Sequence, residues 1–257
     1  MNRSVFKTVR ASLLSGAAFV ALSGAAYAAD LGGSYKDGPA AEPAKDYSIT
    51  VNGGLWTDYV FRGVSQTDND PGVFAGADLT YKFFYIGVWA ASVDEATSDG
   101  ELEIDIYGGV RKSYNGVDFD FGALYYAYPN GDDTLGAGID IDYFELKASV
   151  GTKIFNDLAL TGTVFWSPDY YGEVGSTWTF EGKVAKPLPF LDLTLSGTLG
   201  HVTSDDEDFG FSGFYGDDNY TYWNVGLAKT FKEHFTVDVR YWGTDVDEDA
   251  DAENFCG

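Results

Sequence analysis

Two histidines, His201 and His234, and one cysteine, Cys256, are the chain's whole supply of imidazole and thiol groups. A disulfide framework within the chain cannot be drawn from one cysteine, nor a His/Cys zinc centre from this set. His201 lies near Ser204, Asp205 and Asp206, so a Ser-His or Asp-His pair of a surface hydrolase can be sketched there. A histidine at the edge of a loop accounts for the same residue without chemistry, and His234 in a short turn is a poorer candidate still. No Gly-Xaa-Ser-Xaa-Gly elbow, phosphate-binding loop or His-Glu-Xaa-Xaa-His pair occurs. The expectation is a protein that is not an enzyme, with no catalytic residue, no metal site and no cofactor.

Carboxylates are the abundant charged group. The 257 residues hold 40 acidic and 16 basic side chains, a net charge of −24. Such a chain repels phosphate backbones, which excludes nucleic acid as a partner. Asp205-Asp206-Glu207-Asp208 and the run from Asp245 to Asp251 present oxygen ligands, but neither has EF-hand spacing. They read as solvated loops. Weak divalent-ion bridging to surface lipopolysaccharide stays open for them. A second set of charges is spaced differently. Asp58, Arg62, Asp78, Glu103, Asp105, Arg111, Asp118, Asp120, Glu145, Lys147, Glu181, Asp192, Asp238 and Arg240 alternate with apolar residues along extended stretches, which places them on one face of strands.

These stretches define the elements. From Tyr47 onward apolar residues recur every second position over about nine to thirteen residues, long for globular strands. In the first, Ile49, Val51, Gly53, Leu55, Thr57, Tyr59 and Phe61 share one face. Ten more run Val73 to Lys82, Tyr85 to Val93, Glu101 to Ser113, Val117 to Tyr128, Tyr143 to Ile154, Leu158 to Trp166, Thr177 to Ala185, Leu191 to His201, Tyr220 to Phe231 and Phe235 to Trp242. The facing of the third and tenth is unresolved. Interior glycines argue against helix at about 1 kcal/mol each and are common where barrel walls bend.

Connections alternate between tight turns, of which Asn115-Gly116 is the most specific hairpin signal, and long polar loops. The six long loops carry 23 of the 40 acidic residues and neither lysine nor arginine, while eight of the 16 basic residues lie at or beside the turns. Aromatic residues near the strand ends, among them Trp56, Tyr59, Phe61, Tyr81, Tyr85, Trp166, Trp178, Tyr220, Tyr222, Tyr241 and Trp242, fit interfacial girdles or simply good strand formers. The pattern predicts an all-β fold: an antiparallel up-and-down transmembrane β-barrel with eleven visible strands and twelve in the complete protein.

Arg3, Lys7 and Arg10 precede an apolar run from Ala11 to Ala26 that closes on Ala26-Tyr27-Ala28, the pattern of a signal peptide over residues 1–28. Residues 29–46, rich in Gly, Pro and Ala, read as a flexible periplasmic leader, and residues 47–257 as the barrel lacking its final strand. Cys256 would then lie in an exterior loop, either free or paired with a cysteine beyond it.

The stretch Gly54-Leu55-Trp56-Thr57-Asp58-Tyr59-Val60-Phe61-Arg62-Gly63-Val64-Ser65-Gln66-Thr67, followed by Pro71, resembles the opening of the TorF family of porin-like proteobacterial proteins. Tyr85-Ile86-Gly87-Val88-Trp89-Ala90-Ser92 without Ala91, and Glu103-Ile104-Asp105-Ile106-Tyr107-Gly108-Gly109, resemble its next two signatures in order and spacing. The resemblance implies an outer-membrane barrel of a Gram-negative bacterium with a pore-like role and no established substrate.

The expected function is passive diffusion of small hydrophilic solutes through a lumen lined by the fourteen charged residues, with cations favoured by the acidic excess. Outer-membrane lipid and lipopolysaccharide are the expected surroundings. A plugged barrel, with Arg62, Arg111, Lys147 and Arg240 pairing the carboxylates, is the alternative, as is an adhesin acting through the acidic loops. A hydrolase built on His201 and a soluble β-sandwich are more remote.

Overall fold

In the computed structural model the described residues are 47–95, 97–98, 100–131, 139–155, 157–205, 215, 217–232 and 234–246, together with the backbone of Gly16–Phe19. The strands are β1 (Gly16–Phe19), β2 (Tyr47–Trp56), β3 (Val60–Phe61), β4 (Val64–Ser65), β5 (Gly72–Tyr81), β6 (Phe84–Ser92), β7 (Leu102–Tyr114), β8 (Val117–Ala127), β9 (Tyr143–Ile154), β10 (Leu158–Ser167), β11 (Thr177–Leu188), β12 (Leu193–Ser204), β13 (Asn219–Phe231) and β14 (Phe235–Thr244). Eleven long antiparallel strands, β2 and β5 to β14, form one sheet in which each pairs with its sequence neighbour. The sheet curls into a barrel with up-and-down connectivity, as the alternation of the sequence predicts.

Its two edge strands, β2 and β14, are bridged by β1, which pairs with β14 from Gly16↔Val239 to Phe19↔Thr236 and with β2 at Ala18↔Leu55. β1 lies inside the stretch expected to be a signal peptide. Unpaired N–H and C=O groups on two facing sheet edges accept any extended apolar backbone within reach, which is the physical reason a strand forms there.

The period of two sorts the side chains by face. Ile49, Val51 and Leu55 of β2, Ile86 and Val88 of β6, Phe119 and Phe121 of β8, and Val237 and Val239 of β14 point outward and are exposed. Trp56, Trp89, Asp105, Glu145, Thr179 and Asp238 point inward and are buried. The faces of the third and tenth expected strands, β6 and β13, are thereby settled: Tyr85, Gly87, Trp89 and Ala91 turn in on β6, and Tyr220, Tyr222 and Asn224 on β13. The turns carry left-handed residues where the chain reverses, including Asn115 (φ 50°) and Gly116 (φ 78°), the paired positive φ angles of a type I′ hairpin.

Two expectations change. The first strand ends at Trp56 rather than running through Phe61, because Val60–Phe61 and Val64–Ser65 form their own small hairpin, β3–β4. Arg62 and Gly63 make its turn with φ angles of 47° and 85°, the left-handed pair that a two-residue hairpin requires. The aromatic residues expected in girdles also divide. Tyr81, Trp178 and Tyr241 are exposed on the outer face, whereas Trp56, Tyr220 and Tyr222 are buried, and Tyr59, Phe61, Tyr85 and Trp242 pack against the core. On the long-loop side rings supply most of the interior bulk, with Leu124, Ile141, Val174 and Val202 packed among them. The expected loop tips at 206–214 and 247–256, including Asp206, Asp247 and Cys256, lie outside the described residues.

Candidate functional site

The β3–β4 hairpin lies within the lumen on the long-loop side. Tyr59 donates its hydroxyl to Glu103 Oε1 on β7 at 2.7 Å, and Tyr128 donates to the other oxygen at 2.6 Å. At the hairpin tip, Arg62 Nη1 and Nη2 donate to Glu145 Oε1 and Oε2 on β9 at 2.7 and 2.8 Å, a bidentate pair with Arg62 3% and Glu145 1% exposed. The same carboxylate accepts from the Tyr126 hydroxyl at 3.1 Å. The guanidinium lies 4.7 Å from the Phe61 ring centroid and 4.8 Å from that of Phe165. β9 stands five strands from β2 along the sheet, so the hairpin spans the lumen from one wall to the facing one. A Cβ on Gly63 would lie 2.7 Å from Tyr222 Cβ, so glycine is needed there for space as well as for φ.

Around the hairpin a core of rings closes the long-loop half. Tyr126 stacks on Tyr143 at 4.4 Å, Tyr143 meets Tyr170 at 4.7 Å, and Trp56 lies between Tyr59 and Phe74 at 4.5 and 4.7 Å. Tyr222 lies over Gly200, where a Cβ would come within 2.1 Å of its ring, and donates to Glu181 Oε2 at 2.8 Å. The loop from Ser167 to Ser176 caps this core with Tyr170 and Val174, and its Tyr171 hydroxyl donates to the Thr97 carbonyl at 2.6 Å. Burial first, and then the Glu103 carboxylate, raise the Tyr59 and Tyr128 hydroxyls well above the ordinary tyrosine value. Both therefore remain protonated donors at neutral pH.

Below the core, toward the turns, is a cavity of about 350 Å³ whose wall sets charged side chains among rings and aliphatic groups. It reaches Thr80, Asp118, Lys153 and Ala185 near the turn ends and is bounded above by Trp56, Tyr59, Phe61, Tyr126 and Phe165. Its charges occur largely in pairs: Arg111 and Lys147 both meet Asp120 Oδ2, at 2.9 and 3.2 Å, Lys183 meets Glu181 at 3.0 Å, and Arg240 meets Asp238 at 2.9 Å. Asp78 accepts from Tyr107 and Thr50.

Of the fourteen candidate lumen residues, Asp58, Asp78, Asp105, Arg111, Asp118, Asp120, Lys147, Glu181, Asp238 and Arg240 line this cavity. Arg62, Glu103 and Glu145 lie instead inside the core above it, and Asp192 sits in the turn between β11 and β12, 3.9 Å from Lys229 Nζ. The tyrosines that hold the buried carboxylates, Tyr59, Tyr126, Tyr128 and Tyr222, were not among the candidates. Tyr126 and Tyr128 carry a signal, because they continue the alternating face of Asp118 and Asp120, whereas Tyr59 falls on the opposite face from Asp58 and Arg62 in the strand pattern and carries none. His201 lies on β12 between inward-facing Gly200 and Val202, with Nδ1 3.1 Å from Thr221 Oγ1. Among the described residues no three His, Cys, Asp or Glu side chains converge on a metal-sized space.

The Gcw_chp family, bacterial proteins of unknown function, matches residues 40–256. The chain belongs to this family. Its match includes the lumen hairpin, the buried Arg62–Glu145 pair and the whole cavity. No curated protein matches the chain. Among solved structures it is similar to OccD1 (OprD), at 10% identity and a TM-score of 0.38 over 76% of this chain and 64% of that one. Pseudomonas aeruginosa OpdL is matched at 12% identity and a TM-score of 0.37, over 76% of this chain and 67% of its own. Pseudomonas aeruginosa OpdQ is matched at 9% identity and a TM-score of 0.37, over 76% and 66%. The chain thus spans about two thirds of the length of these proteins.

Proposed function

We propose that this chain is a β-barrel of the Gram-negative outer membrane that lets small hydrophilic solutes, cations preferentially, diffuse down their gradients, with the β3–β4 hairpin as its constriction. The observation that carries this reading is the inverted arrangement of the barrel: an apolar exterior around a polar, charged interior. Outward side chains such as Ile49, Leu55, Phe121 and Leu199 are 55–67% exposed. In water so broad an apolar surface would drive aggregation, whereas hydrocarbon accommodates it. The cavity wall carries seven carboxylates, Asp58, Asp78, Asp105, Asp118, Asp120, Glu181 and Asp238, against five basic side chains, Arg111, Lys147, Lys153, Lys183 and Arg240. That excess raises the local concentration of cations. The TorF-like sequence from Gly54 to Thr67 supports the same reading, since it spans the hairpin itself. In this account residues 1–28 direct export, so β1 has no place in the mature wall, residues 29–46 form a periplasmic leader, and lipopolysaccharide surrounds the acidic loops.

The Arg62–Glu145 pin favours a second reading, a permanently plugged barrel that acts through its long loops. Single-channel recording of the folded protein in a planar bilayer under a salt gradient separates the two. Discrete steps with a cation-selective reversal potential support the channel. Silence from a protein shown to be folded and inserted supports the plug.

A further inference from the structure

One carboxylate in the cavity lacks what every other has. Asp105 is 5% exposed, lines the cavity, and its Oδ1 is buried with no hydrogen-bond partner among the described residues. The charged groups acting on it are Glu103 and Glu145, both of its own sign. Its surroundings are aromatic. Trp89 is its direct cross-strand partner on β6 and Tyr126 on β8, while Tyr107 follows two positions later on the same face. Trp89 Nε1 is likewise buried and unpartnered. Asp78, one row nearer the turns, is joined to this wall through the Tyr107 hydroxyl at 2.7 Å.

A buried carboxylate without a counter-charge is costly and is relieved in one of two ways, by taking up a proton or by holding a cation that donates an N–H to it. A calcium or magnesium ion needs six or more oxygen ligands, which ring walls do not provide. An organic ammonium fits better. It gives one of its three N–H groups to the Asp105 carboxylate, leaves the others to lumen water and gains further from ring walls, which attract cations. The cavity's volume is within the range of small-molecule sites.

We infer that Asp105, with Trp89 and Tyr107, forms a subsite for a small primary ammonium ion in the lumen, the step at which a cationic solute is selected. The inference rests on the cation-favouring channel proposed above and names its solute class.

The test uses the folded barrel in maltoside micelles, titrated calorimetrically with propylammonium and, as a neutral control of the same shape, with propanol. Saturable propylammonium binding is expected, weakened at least tenfold by Asp105→Asn and several-fold by Trp89→Leu, which keeps the carboxylate. Propanol should show none. Equal affinity for the wild type and Asp105→Asn, or no saturable binding by a barrel whose heat-modifiable gel mobility proves it folded, overturns the subsite. Planar-bilayer conductance measured on the same preparations keeps the two claims apart. Conductance without binding defeats the subsite alone, and binding without conductance supports the subsite while defeating the channel.

Discussion

Replacing Arg62 with alanine removes both hydrogen bonds to Glu145 and the guanidinium's contacts with Phe61 and Phe165. Glu145 is left 1% exposed with only the Tyr126 hydroxyl to solvate it. Removing one partner of a buried ion pair costs about 3 to 5 kcal/mol, chiefly through the stranded charge. The hairpin is a short element held at its tip by this pair, so the loss falls first on its docking. At 1.4 kcal/mol per factor of ten, the undocked hairpin gains roughly a hundredfold to several thousandfold in population. The assay is single-channel recording beside limited chymotrypsin digestion, which cuts next to Tyr59 and Phe61 once they leave the lumen. Arg62→Ala should raise open probability and expose these sites, while heat-modifiable mobility shows the barrel intact. Pairing Arg62→Met with Glu145→Met removes both charges and should return the channel toward the closed state, because a buried ion pair is often no better than apolar packing of like volume. Wild-type conductance and wild-type protease resistance in Arg62→Ala would refute the claim that this pair holds the constriction.

Phe121→Arg places a charge on the outer face of β8 and should cost about 2 to 4 kcal/mol near the bilayer midplane; refolding yield into lipid vesicles checks this, and an unchanged yield would favour a soluble protein. Asp120→Asn deprives Arg111 and Lys147 of their shared carboxylate, so the reversal potential should move toward anions by a measurable shift. Gly200→Val thrusts side-chain atoms into the Tyr222 ring and should destabilise the barrel by about 1 to 3 kcal/mol, read from urea-induced unfolding of the refolded protein. The Tyr59 and Tyr128 hydroxyls have folded pKa values raised above their unfolded value near 10, so their contribution is fully present below that pH and is lost as pH rises beyond it. Hairpin release followed by tryptophan fluorescence should therefore be flat from pH 7 to 9 and increase above 10.

The period of two from Tyr47 onward determined by itself that the chain makes antiparallel strands and which residues share a face, since a one-residue slip would exchange every inward side chain for an outward one. Ile49, Val51 and Leu55 opposite Thr50 and Asn52 leave no other register. The alternation of turns and long loops likewise determined the up-and-down order of β5 to β14. Periodicity is silent about the space a curved sheet encloses, and that is where the structure decided. Arg62 and Glu145, 83 positions apart, meet because a left-handed Arg62-Gly63 turn folds the first long loop inward and aims its tip at the facing wall. The same residues read along the strand pattern are two independent wall charges. Trp56, Tyr220 and Tyr222 sit near strand ends, where an interfacial girdle and an interior plug use the same residue types. Only closure of the wall around them determines that they face each other rather than lipid. Asp105 resembles its charged neighbours in sequence and differs from them through what surrounds it: rings on the adjacent strands and carboxylates of its own sign, with no cation among the described residues brought within reach. Pairing of charges across a lumen depends on distances between strands far apart in the chain, and those follow from curvature, which no local pattern encodes.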